Sequence, residues 1–407
     1  MALSKFDPDL LEFMYLLTRK QRYMNSLEIS KYLSSCGKRV TDRTVRRWFD
    51  YLHKYKFDYF PYPRYNTLGL APVWILTDFN ENVLKIIPYK VAIVSGIDFH
   101  NLERCLLCLY LIPPNHLSDF KKLWSVALSR RIVKHCHIFD ISSAIAFFSP
   151  FHKIVNEDGL VNFPEDYDID NSYFTGLLKK CLETEKKFEL DKRIIMNPLT
   201  VPIILEYFRG HMSSRSIWNS FERKLGAKVW DYINAPRIKR ERKKGAGIRL
   251  VQEIMKGLHD NFYDFFQQVR VVYYPFYTNE NNMFYMILKL RRRKDILPLS
   301  ELLSRHSLSI VAYPPLEKES KIIVYYVITN KKETLNIVGD LIQPYIDKSF
   351  DNKIVYEDVE KSLKYGRPLK IDYHELFDPE TCTWKFDAKA YAKKLESAWK
   401  APAITQR

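Results

Sequence analysis

The sequence predicts an α+β protein in which one unit, a (winged) helix-turn-helix head followed by a ferredoxin-like βαββαβ domain, is written twice in a single chain. Three observations predict it. Apolar stretches of helical period open each half, at Asp7-Pro8 and again at Asn197-Pro198, and proline just inside a helix start after a capping Asp or Asn is a start signal. Each helical stretch is followed by a block whose pattern runs β-α-β-β-α-β. The chain has 407 residues, 46% of them apolar, enough for more than one packed core. The expected domains are a head over 1–66, a ferredoxin-like domain with an extension over 67–190, a diverged head over 191–270 and a second ferredoxin-like domain with an extension over 271–407. A charged stretch from Lys186 to Lys192 divides the halves.

In the first head, Leu10, Leu11, Phe13, Met14, Leu16 and Leu17 give the first helix an apolar face, and Ser26 opens a second with Leu27, Ile29, Tyr32 and Leu33. A turn containing Gly37 leads to a third, basic helix that Thr41 is placed to cap. The block that follows reads as a strand over Val73–Thr77, a short helix over Val83–Ile87, strands over Tyr89–Val94 and Cys105–Ile112, a helix over His116–Ser129 and a strand over Arg131–Ile141. Tyr173–Leu182 reads as a closing helix.

The second half repeats the order. Leu199 to Phe208 carries an apolar helix, Ser213-Ser214 opens another, and a third runs from about Ile248 to Phe262 after a basic linker. Strands are expected over Phe284–Leu290, Leu308–Tyr313, Ile322–Ile328 and Lys353–Glu357, with helices over Leu297–Arg305 and Lys331–Tyr345 and a closing helix over Ala388–Trp399.

Composition narrows the function. Lys plus Arg exceed Asp plus Glu by 64 to 48, a net charge of +16, which favours a polyanionic partner. No apolar run reaches the roughly 18–20 residues of a membrane span, and the polar N-terminus does not resemble a targeting segment. The expected location is cytoplasmic and nucleoid-associated, with no membrane partner. The six scattered cysteines suggest reduced thiols.

The candidate contacts lie in the third helices. In the first head, Arg43, Thr44, Arg46 and Arg47 occupy the first two helical turns after Thr41, while Val45, Trp48, Phe49 and Leu52 form the opposite, apolar stripe. Arginine suits both phosphate and bidentate guanine contact. Lys38 and Arg39 in the turn are placed for phosphates. In the second head, Arg237, Lys239, Arg240, Arg242, Lys243, Lys244 and Arg249 form a denser run, expected to hold backbone more than bases. The bland alternatives are a solvated helix face for the first cluster and a partnerless linker for the second. A third cluster, Lys289-Leu290-Arg291-Arg292-Arg293-Lys294, suits a wider phosphate footprint or an acidic partner equally well.

Catalytic and metal patterns are weaker. Cys105-x-x-Cys108 has zinc-like spacing without a second pair, so core cysteines are expected. His135 and His137 share one face of a strand without a third ligand. Asp166, Asp168 and Asp170 read as solvated loop acids. No phosphate loop, Gly-x-Ser-x-Gly or His-Glu-x-x-His is present.

The head, from Leu27-Glu28-Ile29-Ser30 to Arg43-Thr44-Val45-Arg46-Arg47, and its link through Leu68-Gly69-Leu70 into the first strand, resembles the leucine-responsive (Lrp/AsnC) family of bacterial and archaeal transcription regulators. The resemblance spans Leu10 to about Ile141 and, more weakly, Pro198 to about Glu357. It implies that the third helix reads DNA and that the βαββαβ domains pair face to face. Family members are single units that dimerise, so this chain is expected to be its own pseudo-dimer, with a further homodimer left open. The family's ligand loop is glycine-rich; here Val94-Ser95-Gly96-Ile97-Asp98 keeps one glycine and Pro314-Pro315-Leu316-Glu317 none.

The expected function is therefore a DNA-binding transcription regulator, not an enzyme. Double-stranded DNA is the partner, no cofactor is expected, and a small-molecule effector is left open. Three rivals stand beside it: an architectural DNA binder with little base preference, a protein-interaction scaffold, and an enzyme. The enzyme rival exists because siroheme decarboxylases resemble this same architecture, which implies a catalytic pocket between ferredoxin-like domains.

Overall fold

The structure is a computed structural model that describes residues 5–19, 24–54, 57–78, 80, 86, 88–164, 169–184, 189–208, 213–232, 244–276, 281–364 and 373–400. The first head consists of α1 (Pro8–Arg19), α2 (Ser26–Ser35) and α3 (Asp42–Lys54), followed by strand β1 (Phe57–Pro63). The first sheet unit is β2 (Ala71–Asp78), β3 (Lys90–Asp98), β4 (Arg104–Ile112), α4 (Leu117–Ser129) and β5 (Cys136–Asp140), extended by β6 (Ile145–Phe148) and α5 (Ser172–Glu183). The second head is α6 (Thr200–Phe208), α7 (Ser214–Leu225) and α8 (Lys244–Asp260), followed by β7 (Phe266–Tyr273). The second sheet unit is β8 (Asn281–Lys289), α9 (Ile296–Arg305), β9 (Ser309–Tyr313), β10 (Ile322–Asn330), α10 (Lys331–Asn336) and β11 (Lys353–Glu357), and α11 (Ala388–Lys400) ends the described chain.

Nine of these strands form one antiparallel sheet in the order β5-β2-β4-β3-β11-β8-β10-β9-β6. Each unit contributes its four strands in the order fourth, first, third, second, the ferredoxin-like arrangement, so the predicted α+β class and its duplication are present. The units join where β3 pairs with β11 through Gly96–Glu357, Ile97–Tyr356 and Asp98–Val355. At Gly96 an added Cβ would meet the Tyr356 carbonyl oxygen at 2.5 Å and a Val355 methyl at 2.4 Å. The glycine kept in this segment thus serves a strand joint.

The sheet folds back so that its halves face each other. Trp74 of β2 meets Tyr285 of β8 and Tyr313 of β9 edge-on, with centroids at 5.4 and 5.3 Å. Tyr285 stacks on Tyr326 at 4.5 Å. Offset and edge-on ring pairs of this kind add about 0.5–1.5 kcal/mol each beyond burial. The edge strands β5 and β6 are consecutive in the chain, and the segment between them bridges to Pro315. The Ser142 amide donates to the Pro314 carbonyl at 2.7 Å, and the Leu316 amide donates to Asp140 O at 3.2 Å. On the outer faces, α4 covers the first unit through Phe120 and Trp124 against Tyr110. Helix α9 covers the second through Ser300, whose hydroxyl meets Tyr325 OH at 2.7 Å.

Several elements depart from the sequence reading. Neither β1 nor β7 is expected from sequence, yet they pair antiparallel from Phe57–Tyr273 to Pro63–Phe266 and tie the two heads together. Pro61 and Pro63 lack an N–H, and a two-stranded ribbon consists of edges, where proline is tolerated. The strand expected from Arg131 begins only at Cys136, because Arg131 takes φ +55° directly after α4. The helix expected over Lys331–Tyr345 ends at Asn336 and widens into a π turn over Ile337–Leu341 that contains Gly339. The short helix expected over Val83–Ile87 lies mostly outside the described residues.

Candidate functional site

The first candidate is the exposed face of the N-terminal head. Gly37 takes φ +83° and turns the chain after α2, a conformation that costs glycine little. Ser30 donates to the Val40 carbonyl at 2.7 Å, fastening the turn to α2. Thr41 Oγ1 accepts from the Thr44 amide at 3.2 Å, the cap that the sequence predicts. Val45 and Leu52 are fully buried. Phe13 of α1 lies 4.9 Å from the half-buried Trp48 and 5.5 Å from Phe49. With that stripe fixed inward, helical geometry turns Arg43, Arg46 and Arg47 to solvent, with Thr44 half-buried and Arg39 and Thr41 exposed beside them.

Two neighbours temper this cationic face. Arg46 pairs with Asp42 at 2.7 Å while its side chain stays 68% exposed, and its Nε donates to Ser26 Oγ at 3.3 Å. An exposed pair of this kind is worth under about 1 kcal/mol and gives way readily to a phosphate. Lys38 is committed elsewhere: its ammonium pairs with Glu12 and lies 3.9 Å from Asp9, so it fastens the turn to α1.

In the second head, Ser213 accepts from the Ser216 amide and caps α7 as the sequence predicts. Arg237, Lys239, Arg240, Arg242 and Lys243 lie outside the described residues. Lys244 opens α8, and Arg249 is exposed on it. Gln252, Glu253 and Lys256 are also exposed, so that face mixes signs and lacks the arginine cluster of α3. Four residues of the third basic cluster have partners within the protein. Lys289 pairs with Asp347 at 3.2 Å and Arg292 with Asp295 at 2.9 Å. Arg291 donates to the Ile346 carbonyl. Arg293 donates to the carbonyls of Glu317, Ser320 and Leu182, and burial pulls its pKa down. Arg291, Arg292 and Lys294 nonetheless remain exposed.

The second candidate lies at one end of the facing sheets. His135 and His137 have ring centroids 6.2 Å apart. Burial, followed by the positive fields of His135 and Lys353, pushes His137 below the usual histidine range. Lys353, only 13% exposed, reaches Asp98 at 3.1 Å and Asp351 at 2.9 Å. Burial opposes its charge, but those hydrogen bonds outweigh it and raise its pKa. Cys105 and Cys108 are buried in β4, and burial pushes both thiols up to about 12. They are core cysteines. Among the described residues no group of three or more His, Cys, Asp or Glu is placed to hold a metal ion.

Sequence reasoning found the histidine pair but missed its neighbours. Asp98 and Lys353 come from different halves of the chain, and the β3–β11 joint brings them together, while Asp351 lies two residues before Lys353.

No family model matches the chain, and no curated protein does. Among solved structures, the siroheme decarboxylase NirDL matches over 96% of this chain and 100% of its own, with 9% identity and a TM-score of 0.43. The same enzyme in co-complex with an iron-uroporphyrin III analogue matches over 86% of this chain and 91% of its own, with 8% identity and a TM-score of 0.40. Both are structures of an enzyme, so the expectation that this chain is not an enzyme is withdrawn. The likeness at this level assigns neither substrate nor catalytic residue to the chain. Among the described residues no helix is long and apolar enough to cross a membrane.

Proposed function

We propose that the N-terminal head binds a polyanion and that this polyanion is double-stranded DNA. The observation that carries the reading is the exposure of Arg43, Arg46 and Arg47 on one face of α3 while Val45, Trp48 and Leu52 hold the other face inward. A rigid helix presenting guanidinium groups suits both phosphate pairing and major-groove contact. The reading concerns the head and leaves the sheet domains free to carry an activity of their own. The test is titration of a fluorescent duplex at several salt concentrations, with the wild type and an Arg43→Ala, Arg46→Ala, Arg47→Ala triple variant. Losing three phosphate contacts should lower the slope of log K against log salt by about 2.7, at roughly 0.9 per phosphate. Equal affinity and slope for both proteins would sink the reading.

A second reading is favoured by a different observation, the half-buried His137, its pKa lowered by burial, beside His135 at the end of the facing sheets. Such an imidazole suits general acid–base chemistry near neutral pH. The architectural resemblance to siroheme decarboxylases gives that chemistry a form, because the carbon that loses carbon dioxide must gain a proton. Purified protein incubated with siroheme should then bind the coloured tetrapyrrole and release carbon dioxide, and His137→Ala should slow release while leaving binding intact. Absence of both binding and release removes this reading without touching the first.

A further inference from the structure

Arg64 follows β1, at the end of the ribbon that ties the two heads. Its amide donates to the Phe265 carbonyl at 2.8 Å, and its Nε donates to the Phe266 carbonyl at 3.3 Å. Those bonds fix the side chain against the start of β7 and leave its two terminal nitrogens over. Among the described residues neither nitrogen has a hydrogen-bond partner, and no carboxylate lies within ion-pair distance of Arg64. Other partly buried cations differ. Lys38 has Glu12, Lys224 has Glu206, and Lys353 has Asp98 and Asp351. Arg293 spends both terminal nitrogens on carbonyls. Arg64 is half-buried, and burial pulls its pKa below the ordinary arginine value. A guanidinium taken partly out of water without a counter-charge is costly, so an anion placed there has an unmet charge to satisfy.

The surroundings set the chemistry of the occupant. Unpartnered polar atoms sealed from solvent occur at Tyr173 and Trp74, among others, but not at Arg64, so its free end opens to solvent. The Arg64 charge is felt at Tyr173 and Cys181 of α5 and at Asp264 of the one-turn helix Phe262–Phe265. The Tyr173 hydroxyl is buried without a partner, and burial raises its pKa, so it stays a donor. A buried hydroxyl and a guanidinium end, both unmet in one recess, point to a missing acceptor. Two terminal nitrogens in one plane match the paired oxygens of a carboxylate. The exposed Asp264 already places a negative charge in the field of Arg64, which favours a singly charged ligand over a doubly charged one. Tyr263, beside Asp264, is 46% exposed and offers a ring face.

We infer that the recess between α5 and the start of β7 binds a small aromatic monocarboxylate, its two oxygens on the terminal nitrogens of Arg64 and its ring against Tyr263. The inference is independent of the α3 arginines and of His137. The test titrates sodium benzoate, sodium acetate, benzyl alcohol and inorganic phosphate calorimetrically into the full chain at pH 7 and constant ionic strength. Wild-type protein should bind one benzoate saturably, at least tenfold more tightly than acetate, benzyl alcohol or phosphate. Arg64→Lys keeps the charge but removes the planar fork and should weaken benzoate at least tenfold. Arg64→Met should abolish benzoate binding. Because the charge it removes is unpaired, its melting temperature without ligand should not fall below that of the wild type. Benzoate should raise the melting temperature of the wild type and leave that of Arg64→Met unchanged. No saturable benzoate binding by the wild type overturns the inference, as does binding that survives Arg64→Met. Phosphate binding as tight as benzoate overturns the carboxylate assignment, and acetate binding as tight overturns the ring assignment. If Arg64→Met fails to fold, amide shifts of the wild type on titration with benzoate decide instead. Shifts at Arg64, Tyr173 and Tyr263 support the site, and shifts confined elsewhere overturn it.

Discussion

Replacing Gly96 by alanine should loosen the joint between the two halves of the sheet. A Cβ at this position meets the Tyr356 carbonyl oxygen at 2.5 Å, about 0.9 Å inside the 3.4 Å at which ordinary contact begins. The Val355 methyl, at 2.4 Å, has a rotamer to change; the Tyr356 oxygen is backbone and moves only if β11 moves. That strand is held on its other side by β8, in register from Lys353–Ile287 to Tyr356–Phe284, so a shift strains a second ladder as well. Overpacking of this kind costs about 1–3 kcal/mol. If the strain is released by local opening of the joint, amides of β3 and β11 should exchange roughly 5- to 150-fold faster, the same free energy expressed as a ratio. Hydrogen exchange read by mass spectrometry on peptides covering Lys90–Asp98 and Lys353–Glu357 measures it. Gly176→Ala is the control. It lies mid-helix in α5 with open space at its Cβ, and alanine there should stabilise by about 0.5–1 kcal/mol. Unchanged exchange at both strands in Gly96→Ala, with unchanged global stability, would refute the reasoning.

Two further outcomes follow from polar contacts. Glu206 is fully buried in the second head, where it accepts from Ser220 at 2.9 Å, Lys224 at 2.6 Å and Tyr373 at 3.1 Å. Glu206→Ala should cost about 2–4 kcal/mol, since it strands a partly covered cation and two hydroxyls; urea unfolding checks it, and a loss below about 0.5 kcal/mol contradicts it. Asp170 pairs with Arg19 and accepts from Ser172, and these hold its carboxyl at about 2. A depressed carboxylate stabilises the fold above its unfolded pKa of 3.8 and ceases to do so as pH falls through about 2. The pair is exposed, so Asp170→Asn should cost under about 1 kcal/mol at pH 6. The gap between wild type and variant, followed by pH-dependent unfolding, should close by pH 2, and a gap that widens on acidification is incompatible with the assignment.

Local pattern carried most of the secondary structure. The apolar runs in Ile322–Ile328 and Lys353–Glu357, and the helical period in Leu117–Ser129 and Ser214–Leu225, are properties of contiguous residues, and the structure places elements there. Caps at Thr41 and Ser213 were legible because a capping side chain bonds to an amide three residues on. The β1–β7 ribbon was not legible, because each strand finds its partner in the other half and neither alternates cleanly. The internal role of Arg293 in the basic run at Lys289–Lys294 was not legible for a related reason: charge is visible in sequence, but the carbonyls of Leu182, Glu317 and Ser320 that absorb it come from distant segments.

The sequence by itself determined the α+β class, the repeated order of elements and an arginine face opposite an apolar stripe on α3. Periodicity is local, so contiguous residues suffice to specify it. Tertiary structure alone decided that Lys38 faces Glu12, that Gly96 serves a joint and that Lys353 meets Asp98 across that joint. Each of these depends on groups brought together by chain closure, whose identity no local window contains.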